Sequence, residues 1–187
     1  MSKSTIEDWK KLRRIVSFFK GTVNDKRIIG AISLENTHTW IYAVYDVDND
    51  MRSQTSGSIS LGWGIIHETS IIKKLNIKVL PSLKKLVSAI TYLKIFKNNV
   101  LYQDNQSAIR IEENGRNSCT GNSRYIDIRY FFSKDRVYKK EISIKYCPTT
   151  KILVNFFTKP LQGDLFWFFR NILIGYVSIE EIINDDI

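Results

Sequence analysis

Apolar residues recur at Ile6, Trp9, Leu12, Ile15, Val16 and Phe19, with Lys10, Lys11, Arg13 and Arg14 between them. That spacing predicts an amphipathic helix over 4–20. Ser4 with Glu7 has the form of a capping box, and Gly21 stands where helices commonly end. The pattern then changes. The stretches 27–34, 40–47 and 56–67 are rich in β-branched and aromatic residues and predict strands, with polar turns at 35–38 and 48–55. Pro81 opens a predicted helix that runs to Phe96, with Leu83, Leu86, Val87, Ile90 and Leu93 as its buried stripe. A short strand over 99–103, a helix over 105–113 and a long basic helix over 123–140 follow. A strand over 141–147, a helix over 149–159 stopped by Pro160, and an aromatic helix over 163–174 complete the pattern. The acidic tail from Glu180 is expected to fray.

A strand meander followed by alternating helices and strands predicts an α/β fold. Its sheet is part antiparallel and part parallel, with helices packed against it. Many proteins fit that description, so the pattern alone names no function.

The chain has 187 residues, 43% hydrophobic and 25% charged, an ordinary globular balance. Lys and Arg number 28 against 19 Asp and Glu, a formal charge of +9 that favours a polyanionic partner such as nucleic acid. No apolar run approaches the roughly 20 residues that span a bilayer, and the N-terminus has no signal-peptide character, so no membrane partner is expected. Two cysteines (Cys119, Cys147) and two histidines (His38, His67) supply neither a zinc cage nor a disulfide framework. A metal site here has to be built from carboxylates.

Five blocks resemble, in order, the ribonuclease H region of copia-type retrotransposon Pol polyproteins. Leu101-Tyr102-Gln103-Asp104-Asn105-Gln106-Ser107-Ala108 is similar to L-Y-x-D-N-Q-S-A, and Asp50-Met51-Arg52-Ser53-Gln54-Thr55-Ser56-Gly57 to D-x-R-S-x-T-S-G. Tyr125-Ile126-Asp127-Ile128-Arg129-Tyr130 resembles H-I-D-I-R-Y. Tyr146-Cys147-Pro148-Thr149 with Phe157-Thr158-Lys159-Pro160-Leu161 resembles Y-C-P-T and F-T-K-P-L. Glu7–Leu12 with Phe19–Thr22 resembles the linker from reverse transcriptase. The blocks cover roughly residues 5 to 170.

The resemblance implies a ribonuclease H-like α/β fold, a mixed five-stranded sheet flanked by helices. It also implies three parts: a linker helix over 1–24, a ribonuclease H-like domain over 25–160 with a shortened helical region near 80–98, and a C-terminal helix with an acidic tail over 161–187. The implied activity is cleavage of the RNA strand of an RNA–DNA hybrid by two Mg²⁺ ions held by four carboxylates. The implied partners are hybrid or other nucleic acid and the reverse transcriptase portion of the same polyprotein. The implied setting is intracellular: a cytoplasmic virus-like particle or the nucleus.

Carried over position by position, the four ligands fall on Tyr42, Ser82 (or Leu83 with one inserted residue), Asp104 and Asn155. Asp104 alone is acidic, which predicts weak or absent Mg²⁺ binding and an inactive enzyme. Asp104 also has the simpler role of capping the helix that begins beside it. Asn155 can offer a neutral oxygen but no charge. An active alternative recruits Asp46 or Asp48, although Asp46 lies four residues along from Tyr42, about 13 Å on an extended strand. A product with no selected function fits the same losses. Arg124, Arg129, Lys134, Arg136, Lys139 and Lys140 form a basic stripe that either tracks phosphates or is a solvated helix face. The aromatic run Phe166–Phe169 is expected in the core or against the rest of Pol, with base stacking as a third use.

Overall fold

The computed structural model describes residues 5–44, 54–72, 96–106, 109, 110, 113 and 135–184. The predicted helix over 81–96 apart from Phe96, four of the nine residues of that over 105–113, and residues 123–134 of that over 123–140 lie outside the described residues. Gln106, Ile109, Arg110 and Glu113 are helical, as is 135–138.

Seven strands are described: β1 (Gly30–Ala31), β2 (Asn36–Val44), β3 (Gln54–Ser60), β4 (Gly62–Trp63), β5 (Ile65–Ile72), β6 (Asn98–Gln103) and β7 (Ile142–Tyr146). Five of them make one sheet in the order β5-β3-β2-β6-β7. β2, β3 and β5 are antiparallel neighbours, whereas β6 runs parallel to β2, and β7 parallel to β6. This mixed sheet is ribonuclease H-like, as the resemblance implies. β1 and β4 form a separate two-stranded ribbon.

The central strand β2 is buried on both faces, which follows from its sequence. Trp40 and Ile41 are consecutive, so they point to opposite sides, and each is 1% exposed or less. On one side Trp40 joins Tyr102, Ile65, Phe169, Ile172 and the segment from Ile152 to Val154 in the larger core. On the other, Ile41 packs with Ile59, Leu101 and Ile142. The parallel register is visible in the side chains. Trp40 pairs with Tyr102, and their rings stack at 5.2 Å; His38 stacks on Tyr102 at 6.0 Å. His38 Nδ1 and the Tyr102 hydroxyl lie 3.1 Å apart, at hydrogen-bond distance.

A 3₁₀ helix (Leu153–Phe157), helix α2 (Gly163–Ile174) and a short α3 (Glu180–Ile183) cover the larger core. The first of these corrects the predicted helix over 149–159. Ile152, Leu153, Val154 and Asn155 are all buried, and four consecutive buried residues do not fit one face of an α-helix. β3 side chains hold this turn in place: Ser56 Oγ donates to the Val154 carbonyl at 3.3 Å and Gln54 Nε2 to the Phe157 carbonyl at 3.0 Å.

Other expectations shift as well. The predicted strand over 27–34 reduces to β1, and β2 begins inside the stretch expected as a turn. The predicted single strand over 56–67 breaks into β3, β4 and β5, because Gly62 and Gly64 adopt positive φ and turn the chain. The tail is anchored rather than frayed as far as Asn184, with Ile179 and Ile182 buried. Gly175 ends α2 in the left-handed conformation, and a Cβ there would collide with the Ile28 carbonyl, so glycine is required.

Helix α1 (Ile6–Thr22) is capped by Thr5 with Asp8 rather than by Ser4 with Glu7. The Asp8 amide donates to Thr5 Oγ1 and the Thr5 amide to Asp8 Oδ2. It continues through Gly21 to Thr22. None of its residues is buried, and Trp9 is 67% exposed. Phe18 meets Phe166 and Trp167 of α2, with the Arg170 guanidinium over its ring and ion-paired to Asp25. In the aromatic run only Phe169 is fully buried; Trp167 and Phe168 are exposed. Among the described residues no helix is long and apolar enough to cross a membrane.

Burial, followed by the charge of Lys145, lowers the pKa of His38 below its ordinary 6.5. The folded protein therefore binds fewer protons at this site than the unfolded chain in the window below pH 6.5. The stability contributed by neutral His38 is fully present above that pH and is lost as pH falls toward the folded pKa. Urea denaturation across pH 7.5 to 5 will show stability falling in wild type and a flatter profile in His38→Gln. Identical slopes in the two proteins would contradict it.

Candidate nucleic-acid interface

Strand register sets out the candidate site. Trp40 of β2 pairs with Tyr102 of β6. Continued by two residues, that register puts Asp104 beside Tyr42, on the face that carries the aromatic stack. Asp104 follows the last residue of β6 and is half-buried.

Asp104 does not immediately precede the helix after β6. Asn105 does, and its carbonyl accepts from the Ile109 amide. The Asp104 carboxylate instead crosses to the loop after β7, where Thr149 Oγ1 donates to Asp104 Oδ2 at 2.9 Å. The same Thr149 accepts through its backbone carbonyl from Asn155 Nδ2. One threonine thus joins Asp104 to Asn155. Asn155 is 4% exposed, and its Oδ1 has no hydrogen-bond partner among the described residues.

The third side of the site is cationic. The Asn155 carbonyl accepts from the Lys159 amide at 2.9 Å, and the Lys159 ammonium lies 4.8 Å from the centroid of the Tyr42 ring. A cation over an aromatic face is held by the ring quadrupole. Tyr42, Asp104 and Asn155 therefore meet at one end of the sheet, whereas Ser82 lies outside the described residues. So do Asp46 and Asp48, on which the rearranged site depends.

This donor set does not fit a pair of Mg²⁺ ions. Mg²⁺ needs hard, charged oxygen ligands. Asp104 supplies one carboxylate, already engaged by a hydroxyl. Asn155 turns its amide nitrogen toward a carbonyl, and the Lys159 charge over the Tyr42 ring is positive. Among the described residues no three His, Cys, Asp or Glu side chains gather as a metal-binding group.

Much of the basic stripe is otherwise engaged or undescribed. Arg136 pairs with Glu141 at 2.5 Å and Lys139 with Asp135 at 2.8 Å. Lys140 stands in a turn with positive φ, while Arg124, Arg129 and Lys134 lie outside the described residues. Thr149 and Lys159 were not among the predicted site residues, although both stand inside motifs that the sequence displays, Y-C-P-T and F-T-K-P-L.

No family model matches the chain. Among solved structures, it is similar to ribonuclease H1 from the archaeon Halobacterium salinarum, at 14% identity, with 61% of this chain and 86% of that one covered and a TM-score of 0.41. It is also similar to the N-terminal RNase H domain of rv2228c from Mycobacterium tuberculosis, solved as a maltose-binding-protein fusion (9% identity, 72% and 97% covered, TM-score 0.46). A third is the foamy viral protease-reverse transcriptase in complex with an RNA/DNA hybrid (15% identity, 68% and 19% covered, TM-score 0.44).

The Asn155 environment makes a direct prediction. In Asn155→Asp the donor to the Thr149 carbonyl is lost and a charge is buried without a partner. We expect destabilisation on the order of 3 kcal/mol at pH 7, and less near pH 4, where a protonated carboxyl again donates. Denaturant unfolding at both pH values checks this. Unchanged stability at pH 7 would mean that the side chain faces a cation or open solvent.

Proposed function

We propose that this chain is the ribonuclease H-like piece of a copia-type retrotransposon Pol polyprotein, and that it holds nucleic acid without cleaving it. The observation that carries this reading is the convergence of Tyr42, Asp104 and Asn155 on one site with a single carboxylate among them. The ordered blocks from Glu7 to Leu161 support the copia assignment, and the formal charge of +9 supports a polyanionic partner.

In the ribonuclease H family, Mg²⁺ ions stabilise the attacking and leaving oxygens of the phosphodiester. Losing the negative charge that binds those ions removes the chemistry while leaving the fold that reads a duplex. A-form-like duplexes are recognised by shape, phosphates and 2′-hydroxyls, none of which needs a metal. The ligand we assign is therefore an RNA–DNA hybrid. The exposed apolar stripe of α1, from Ile6 to Phe19, is the surface we assign to the reverse transcriptase portion of the polyprotein.

Incubation of a labelled RNA–DNA hybrid with the protein in Mg²⁺ and in Mn²⁺ tests this. The expected result is retention of the hybrid in a gel-shift assay, weakening steeply with salt, and no cleavage above the protein-free rate. Cleavage that disappears in Asp104→Asn would overturn the inactivity; absence of binding at low salt would overturn the nucleic-acid reading.

A further inference from the structure

The mismatch between the donor set and Mg²⁺ points to what the site takes instead. We propose that the Lys159 ammonium, seated over the Tyr42 ring, makes this a metal-independent phosphodiester site. It lies over Tyr42, one of the four positions onto which the implied metal ligands carry over. This inference rests on the nucleic-acid reading above and assigns the contact that performs it.

Three observations carry it. First, the ammonium is positioned. Its backbone amide donates to the Asn155 carbonyl at 2.9 Å, the rigid Pro160 follows it, and its Nζ lies 4.8 Å from the Tyr42 centroid. An aromatic face holds a cation but leaves its N–H donors free for an anion. Second, the ammonium has no carboxylate partner among the described residues: Asp104 is bonded to Thr149 and makes no ion pair with Lys159. An unneutralised lysine beside a half-buried wall is a phosphate-binding point charge. Third, the position that would repel a phosphate has been neutralised. A carboxylate at position 155 or 42 would need a metal between itself and the anion; an amide and a phenol do not.

The contact differs from metal-mediated binding in one decisive respect: it survives chelation. Hybrid affinity in EDTA is therefore no lower than in Mg²⁺, which only competes for the phosphates. Lys159→Gln weakens binding about five- to tenfold and reduces the slope of log affinity against log salt by about one, the signature of one lost phosphate contact. Lys159→Arg retains the cation and restores both. Asp104→Asn removes the one carboxylate described at the site and tightens binding. Matched thermal unfolding of each variant separates loss of the contact from loss of the fold.

The experiment is a fluorescence-anisotropy titration of the full chain with a labelled hybrid, at several salt concentrations, with EDTA or with Mg²⁺. Affinity in EDTA at least as high as in Mg²⁺, with the loss in Lys159→Gln and the rescue in Lys159→Arg, is the expected result. Binding that requires Mg²⁺, or a Lys159→Gln protein with wild-type affinity and salt slope, would overturn this inference and leave the nucleic-acid reading standing. No binding by folded wild-type protein would overturn both.

Discussion

The parallel pairing of β2 with β6 is the constraint on which the rest depends. It brings together two strands far apart in the chain and fixes them by the stack of His38, Trp40 and Tyr102. Side-chain alternation then does the remaining work. Once Trp40 faces Tyr102, positions 42 and 104 project from the same face two residues further on. A slip of β6 by one residue would turn position 104 to the face opposite position 42. The geometry of the site is therefore a by-product of core packing, and it persists whether or not the residues at its end still carry charge.

The second support comes from the loop after β7 and the 3₁₀ helix. Gln54 and Ser56 of β3 donate to carbonyls of that helix, so the sheet itself anchors the segment bearing Asn155. Thr149 closes the arrangement by contacting Asp104 and Asn155 at once. A site supported in this way holds its shape without a charge at position 42 or 155. Tyr42 and Asn155 are neutral, and a buried amide with one satisfied donor is easier to fold around than an unpaired carboxylate.

The strand β6, the antiparallel meander, α2 and the role of Asp104 as a strand-end residue were legible in the sequence, because alternation and motif agree there. What was not legible depends on tertiary contacts. The segment 149–159 has helical spacing, yet four consecutive residues are buried, and only the sheet packed against them decides for a 3₁₀ turn. The break between β3 and β5 hides inside a β-branched run, where Gly62 and Gly64 turn the chain. The anchoring of Ile179 and Ile182 is masked by their acidic neighbours. Thr149 and Lys159 gave the weakest indication of all: each stands in a quoted motif, but neither residue type announces a contact that forms only when the loop folds back over β2.

The central claim is that the site keeps its geometry but lacks the charge to hold a pair of divalent ions. Titration of the folded protein with Mn²⁺, followed by electron paramagnetic resonance, tests it most directly. The account predicts only nonspecific surface association, unchanged in Asp104→Asn. Two strong sites that disappear in Asp104→Asn would contradict it.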